Sequence, residues 1–308
     1  MRTRSAAGSL YGLAVSLLWG LSFLSIKVSV AVIPPMTLAV ARFVVALAVL
    51  PLVALAARER LKVEPRDLPI LAAGGFLGVT LYFLGENNGV ALLTASESSL
   101  VIATIPVLTM LADRLFAGTR LGWRAYLGAA LSLAGVALVA ARSPGGSSSL
   151  AGYLYMGLAA VAWVGYTFLT KGVSARYGRI NVTFWQSLAG TLGCLPFAFA
   201  ERGSWALPGA GVTLNVLYLG VFCSAAGYWL YASALNLLGA GRTSVFINLI
   251  PVVAVVAAYL VLGERMSALQ WAGGAVAVAG VYLATLAAPS GGSAAPAATA
   301  SRDARQGP

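Results

Sequence analysis

Residues 98–120, SSLVIATIPVLTMLADRLFAGTR, and residues 243–265, TSVFINLIPVVAVVAAYLVLGER, carry the same residue types in the same order. A shift of 145 puts Pro106 on Pro251, Gly118 on Gly263 and Arg120 on Arg265. Extended without a gap over 98–139 against 243–284, it gives 15 identities in 42 positions, among them Gly128 on Gly273 and Gly135 on Gly280. Shared Ala, Leu and Val inflate such a count, but fixed Pro, Gly and Arg positions are harder to obtain from composition. Earlier residues agree with small shifts. Trp19 and Lys27 match Trp163 and Lys171 at the same eight-residue separation, Leu10-Tyr11 matches Leu154-Tyr155, and Leu50-Pro51 matches Leu195-Pro196. The chain reads as two copies of one unit.

The composition says where that unit sits. Of 308 residues, 59% are hydrophobic and 9% charged, with a mean hydropathy of +0.87. Soluble domains carry about 25% charged residues, so this is an all-α, polytopic membrane protein. The absence of histidine removes imidazole metal sites, His-based triads and the usual proton shuttle of neutral pH. Cys194 and Cys223 lie in apolar runs without CxxC or zinc spacing. No metal and no cofactor is expected.

A crossing helix needs about 20 mostly apolar residues. Ten segments qualify: 9–26, 34–56, 68–93, 95–116, 121–141, 150–170, 180–201, 211–238, 241–262 and 267–288. The first has basic flanks but no convincing cleavage site, so it is a span and not a leader. Nothing alternates as a barrel strand does. The expected organisation is a first five-helix repeat at 1–142, a flexible loop at 143–149 and a second repeat at 150–288. An Ala/Gly/Ser/Pro-rich tail at 289–308 cannot bury a core and is expected to be disordered in the cytoplasm.

Basic residues orient the spans. With the N-terminus inside, fifteen fall on inner segments: Arg2, Arg4, Arg58, Arg60, Lys62, Arg66, Arg114, Arg120, Arg124, Lys171, Arg176, Arg179, Arg242, Arg302 and Arg305. Only Lys27, Arg142, Arg202 and Arg265 fall outside, and Arg42 lies within a span. Both termini are therefore expected in the cytoplasm, with the lipid bilayer as partner. The net charge of +11 is spread over short loops, so it marks topology and headgroup contact, not a nucleic-acid face.

Five spans is an odd number, so the second copy must enter the membrane upside down. Inverted repeats of this kind characterise secondary transporters, whose halves rock about a site near the midplane. The residues here resemble a known group, the EamA family of the drug/metabolite transporter superfamily. The resemblance rests on Trp19-Gly20, on the Pro106 and Pro251 spans each followed by Gly-x-Arg, and on Gly263-Glu264-Arg265 leading into a Gly-rich last span. It covers the chain to about residue 288. It implies ten helices in two inverted repeats, and export of amino acids or other small metabolites across a bacterial inner membrane. The first copy departs from the pattern, reading Gly118-Thr119-Arg120 without the Glu, which bears on loop structure more than on substrate.

Charges within spans cost about 2.5–3.5 kcal/mol each on insertion scales and point to function by default. Arg42 and Glu86 each lie roughly 10 Å below the outer boundary, at about 1.5 Å per residue. They are expected to pair, either as contacts for a zwitterionic substrate with Glu86 open to proton exchange, or as a structural ion pair. Glu97, in the first turn of its span, has both a cavity reading and a capping reading. Lys27 and Lys171 are expected to snorkel to opposite interfaces. The second-copy counterparts of Glu86 and Glu97 are Tyr231 and Arg242, so acidic charge is confined to one half.

Pro106 and Pro251, mid-span, each free a carbonyl four residues earlier and are hinge candidates; Asn248 lies one turn before Pro251. Trp19, Trp163, Tyr82, Tyr228 and Tyr231 are candidates to line a pocket, with core packing as the alternative, and Trp229 belongs to the same aromatic group. Gly128, Gly135, Gly273 and Gly280 suit close helix contact, within one chain or in a homodimer. The expected cavity is lined by spans one, three and four and their partners six, eight and nine. No GxxxxGK[ST] loop is present, so the energy comes from a gradient unless transport is simply downhill. A receptor or scaffold, or an intramembrane enzyme, is the alternative. The first lacks a sizeable loop domain here, and the second lacks GxGD, a Ser/His dyad and an arginine cluster.

Overall fold

The computed structural model describes residues 2–116, 118, 120–141, 149–173, 176–238, 243 and 246–287, and among these it contains helices and no strand. The helices are α1 Arg2–Val30, α2 Pro35–Ala56, α3 Pro65–Leu92, α4 Ala95–Phe116, α5 Trp123–Ala141, α6 Leu150–Val173 and α7 Arg179–Ala200. There follow α8, built from Ala210–Leu217, Tyr218–Ala226 and Gly227–Leu238, then α9 Ile250–Leu262 and α10 Ala268–Ala287. Eight of them, α1–α6, α8 and α10, are long and apolar enough to cross a bilayer. The other two expected spans are helical but differ in kind. α7 buries Asn181, Gln186, Ser187 and Thr191 along its length. Most of the residues expected to open the ninth span lie outside the described ones, as do the 289–308 tail, all of 143–149 but Ser149, the Lys171 side chain and Arg242.

Local chemistry sets the boundaries. Pro34-Pro35 and Pro65 open α2 and α3, where a missing N–H costs nothing. The repeat-paired glycines of the Gly-x-Arg motif follow the ends of α4 and α9 at φ 68° and 67°. An L side chain resists that left-handed backbone, which explains the glycine at the helix stop.

The prolines correct one expectation. Pro106 and Pro251 are not kinks inside continuous helices. α4 is interrupted at Ala103–Thr104, and Pro106 is the second residue of the piece Ile105–Phe116. Pro251 is likewise second in Ile250–Ala257, after a turn at Asn248–Leu249. Each ring therefore stands in a first turn, where it removes no intrahelical bond. π-helical turns, which reasoning from the sequence did not anticipate, occupy Phe76–Leu81 in α3 and Tyr218–Ala226 in α8.

Packing joins the two halves throughout. α2 lies on α7, α5 on α10, α3 on α6, α1 on α8 and α9, and α4 on α6. Close glycine contacts fix the directions: Gly128 meets Ala284 and Gly280 while Gly135 meets Ala277 and Gly273, so α5 and α10 are antiparallel. One core cluster, including Phe23, Ile26, Leu219 and Ile250, joins α1, α8 and α9. A second, including Phe43, Leu50, Phe83 and Ala159, joins α2, α3, α6 and α7. Outward-facing Leu10, Leu55, Leu115, Phe116, Leu154, Leu214 and Leu260 are exposed, an apolar girdle that a bilayer would cover.

Candidate functional site

Rings from both halves meet in one cluster between the two cores. Trp19 on α1 and Trp163 on α6, the repeat-related pair, stand edge to face with centroids 6.2 Å apart. Tyr228 lies against both, at 5.8 and 6.1 Å, and Tyr231 against Trp19 at 5.5 Å. Tyr82 on α3 closes on Trp163 at 5.0 Å. Edge and tilted contacts at these distances are the favoured geometries of aromatic quadrupoles. Sequence reasoning missed Tyr166, 5.1 Å from Trp163. Its spacing of three from Trp163 puts both on one helix face, the signal that would have found it.

The π turn of α8 serves this cluster. The Trp19 Nε1–H donates to the Cys223 carbonyl at 3.0 Å, and the Arg42 Nε–H donates to Ser224 Oγ at 3.1 Å. Both acceptors lie in Tyr218–Ala226, where wider winding presents the Cys223 carbonyl that a regular helix would engage internally. The next residue is Gly227, where a Cβ would sit 2.7 Å from Trp19 Nε1. Trp19→Phe is expected to cost about 1 kcal/mol of stability through the lost hydrogen bond. Gly227→Ala, by pushing the indole away, is expected to cost about 1–3 kcal/mol. Because both act through one ring, their costs should be sub-additive in a double-mutant cycle of unfolding midpoints. Full additivity would mean that Gly227 does not shape the Trp19 position.

Arg42 and Glu86 are both buried, each 4% exposed. The direct ion pair expected from their matching depth is absent: the ion pairs among the described residues are Arg66–Glu64 and Arg176–Asp67. Glu86 Oε1 instead accepts the Tyr82 hydroxyl at 2.8 Å. The Arg42 guanidinium lies 4.5 Å over the Phe83 ring, which itself packs on Tyr82 at 4.9 Å. One guanidinium nitrogen, Nη1, is buried without a partner. Arg42 is within electrostatic reach of Glu86 but not bonded to it. Residue counting speaks to height along a helix and not to the angle about its axis.

Other candidates lie elsewhere. Glu97 forms a reciprocal capping box with Thr94 at the start of α4, away from the rings. The Lys27 ammonium donates to the Val90, Ala91 and Leu93 carbonyls at 2.9, 3.2 and 2.6 Å, capping the end of α3. Asn248 lies in the turn before α9 with its Nδ2 buried and unbonded, and Trp229 packs on Tyr11 outside the cluster. Rings and charges therefore come from α1, α2, α3, α6 and α8. Among the described residues, α4 and α9 add no ring or charge to the cluster, while α2 contributes Arg42. At the start of α3, Asp67 accepts the hydroxyl of Tyr177, from the α6–α7 connection, at 2.6 Å, which holds that hydroxyl proton above the ordinary tyrosine range.

The arrangement has charge of both signs, aromatic faces and a free guanidinium donor where two sets of helices meet, and the chain that builds it resembles known proteins over most of its length. The EamA-like transporter family profile matches twice, over residues 6–141 and 150–286. A Streptantibioticus cattleyicolor protein named as a probable terminal-alkyne amino-acid exporter is 33% identical over 218 residues, 71% of this chain and 73% of that protein. An Escherichia coli protein named as a probable amino-acid metabolite efflux pump is 28% identical over 287 residues, 88% of this chain and 92% of that protein. One solved structure covers 92% of this chain and 98% of its own, with a TM-score of 0.68 and 22% identity, a likeness of fold alone. With the profile matching on both sides of the mid-chain loop, this multi-span membrane protein belongs to the EamA-like transporter family.

Proposed function

We propose that the chain is a secondary transporter whose two inverted five-helix units, 1–142 and 150–288, rock about the ring cluster and export a small zwitterionic metabolite. Its substrate is an amino acid or a related compound, moved across a bacterial inner membrane with both termini cytoplasmic. The packing supports the inversion. Exchanging α1–α5 with α6–α10 turns the α1–α8 contact into α6–α3 and the α1–α9 contact into α6–α4, and all four are present. α2–α7 and α5–α10 map onto themselves, and the repeat-related helices α5 and α10 run antiparallel, as opposite insertion requires.

The observation that carries the substrate class is the unpartnered Arg42 nitrogen within electrostatic reach of Glu86, among rings from both units. A planar guanidinium with free donors matches a carboxylate. A carboxylate and aromatic faces receive an ammonium. The names of the two relatives, a probable terminal-alkyne amino-acid exporter and a probable amino-acid metabolite efflux pump, point to the same class. The direction of transport rests on the family and on those names.

Proteoliposome flux over an amino-acid panel, with and without an imposed pH gradient, tests this. A gradient is expected to accelerate flux several-fold, and Glu86→Gln to remove the acceleration while leaving gradient-independent exchange. Flux in Glu86→Gln that responds to the gradient as the parent does would refute the coupling role. A panel without a transported amino acid would refute the substrate class.

A further inference from the structure

At one face of the molecule, the ends of five helices are tied together. Glu264 directly follows the left-handed Gly263 that ends α9. Its Oε1 accepts the Ala95 N–H at 2.9 Å, and its Oε2 accepts the Ser96 N–H at 3.1 Å and the Ser96 hydroxyl at 2.7 Å. Those amides open α4, and helix N-termini favour negative charge. The Thr94–Glu97 box satisfies the next amide at 3.1 Å. The other Glu97 oxygen accepts Gln270 Nε2 at 3.0 Å, and Gln270 itself forms a box with Ser267 at the start of α10. Lys27 adds the ends of α1 and α3 and borders the same open cleft as Thr94 and Glu264.

The α2–α7 pair carries a carboxylate cap at each end. Glu201, after α7, takes the Met36 and Thr37 amides of α2 at 3.0 and 2.8 Å, and Glu59, after α2, takes the Asn181 amide of α7 at 2.8 Å. The α4–α9 pair breaks this reciprocity in its sequence. The repeat counterpart of Glu264 is Thr119, a short neutral side chain with no carboxylate to offer.

We infer that Glu264 is a latch that holds the first piece of α4 against the end of α9 and closes this face, and that Thr119, having no carboxylate, cannot supply the equivalent cap from its own repeat position, which biases the resting transporter toward closure here. The inference rests on the two-unit reading given above. The piece Ala95–Ile102 can swing as a body, because the Ala103–Thr104 turn separates it from the rest of α4. The latch is made of charge-assisted bonds, the strong class, yet they form only when both helix ends meet.

The test places a reporter under the latch. Ser99, fully buried in that piece, is replaced by cysteine in the full chain, where Cys194 and Cys223 are themselves buried. A membrane-impermeant maleimide is applied to reconstituted protein. Adding Glu264→Ala is expected to speed labelling of Ser99→Cys by about 10-fold or more, the loss of charged hydrogen bonds translated into open population. Glu264→Gln, which keeps one acceptor oxygen, should fall between. Unchanged labelling in a Glu264→Ala protein that remains monodisperse would overturn the latch. If Glu264→Ala fails to fold, Thr119→Glu on the intact latch serves. A carboxylate there restores the missing counterpart and should also raise Ser99→Cys labelling. Accelerated labelling in Glu264→Ala with none in Thr119→Glu would leave the latch standing, overturn the bias and count against the two-unit reading.

Discussion

Arg42→Met is expected to reduce gradient-driven flux about 100-fold or more, as two charge-assisted bonds to a substrate carboxylate would be lost, while leaving the protein as stable as the parent or more so. The two halves of that expectation have one cause. Arg42 is buried, bonded through Nε to Ser224, stacked on Phe83, and leaves Nη1 without a partner. An unsatisfied charged donor in the interior costs about 1–3 kcal/mol or more. A methionine of similar length keeps the contact with Phe83 and removes that cost. Glu86 retains its hydrogen bond from Tyr82 and does not depend on a direct bond to Arg42. A residue held at a cost to stability is one retained for something else it binds. Flux in proteoliposomes and the unfolding midpoint in detergent check the two arms separately. Arg42→Lys keeps the charge but not the planar fork, so it should recover part of the flux. Retained flux with a lowered midpoint would make Arg42 a structural residue and remove the basis for a zwitterionic substrate.

The fold was legible where the sequence pins the backbone. Pro106, Pro251, Gly118 and Gly263 mark the same break and the same stop in each copy, because ring closure and a left-handed φ leave few alternatives. The aromatic site was legible for the same reason, since Trp19 and Trp163 are repeat-related and lie far from a helix end. What failed was lateral. Depth along a helix is counted in residues, but facing direction follows from packing, and Arg42 and Glu86 bond to other partners. The acceptors in α8 were invisible because the π turn at Tyr218–Ala226 depends on tertiary contact and has no sequence mark. Glu59, Glu201 and Glu264 follow the ends of α2, α7 and α9. Each caps a helix that is more than 100 residues distant in sequence, and nothing local announces that partnership.

Gly135→Leu is expected to lower the unfolding midpoint by on the order of 10 °C, the largest stability loss among single changes in the outer pair of helices. In a bilayer, apolar side chains gain little by leaving lipid, so helices associate mainly through close packing and polar contacts. α5 and α10 meet through backbone. A Cβ at Gly135 would fall on the Ala277 amide nitrogen and Gly273 carbonyl, and one at Gly128 on the Ala284 nitrogen and 2.7 Å from the Gly280 carbonyl. Backbone cannot rotate aside as a side chain can, so the helices must separate along their shared face. That places the cost at or above the upper end of the usual 1–3 kcal/mol for overpacking, about 3 kcal/mol or more. Gly157→Ala, on a part of α6 with nothing within 4 Å, is the matched control. It should raise the midpoint slightly, because alanine is favoured over an unpacked helical glycine by about 0.5–1 kcal/mol. The opposite signs of the two glycine changes, read on the same melting curve, separate a packing face from a merely permissive residue. If Gly135→Leu leaves the midpoint where it was, α5 and α10 do not meet through these glycines.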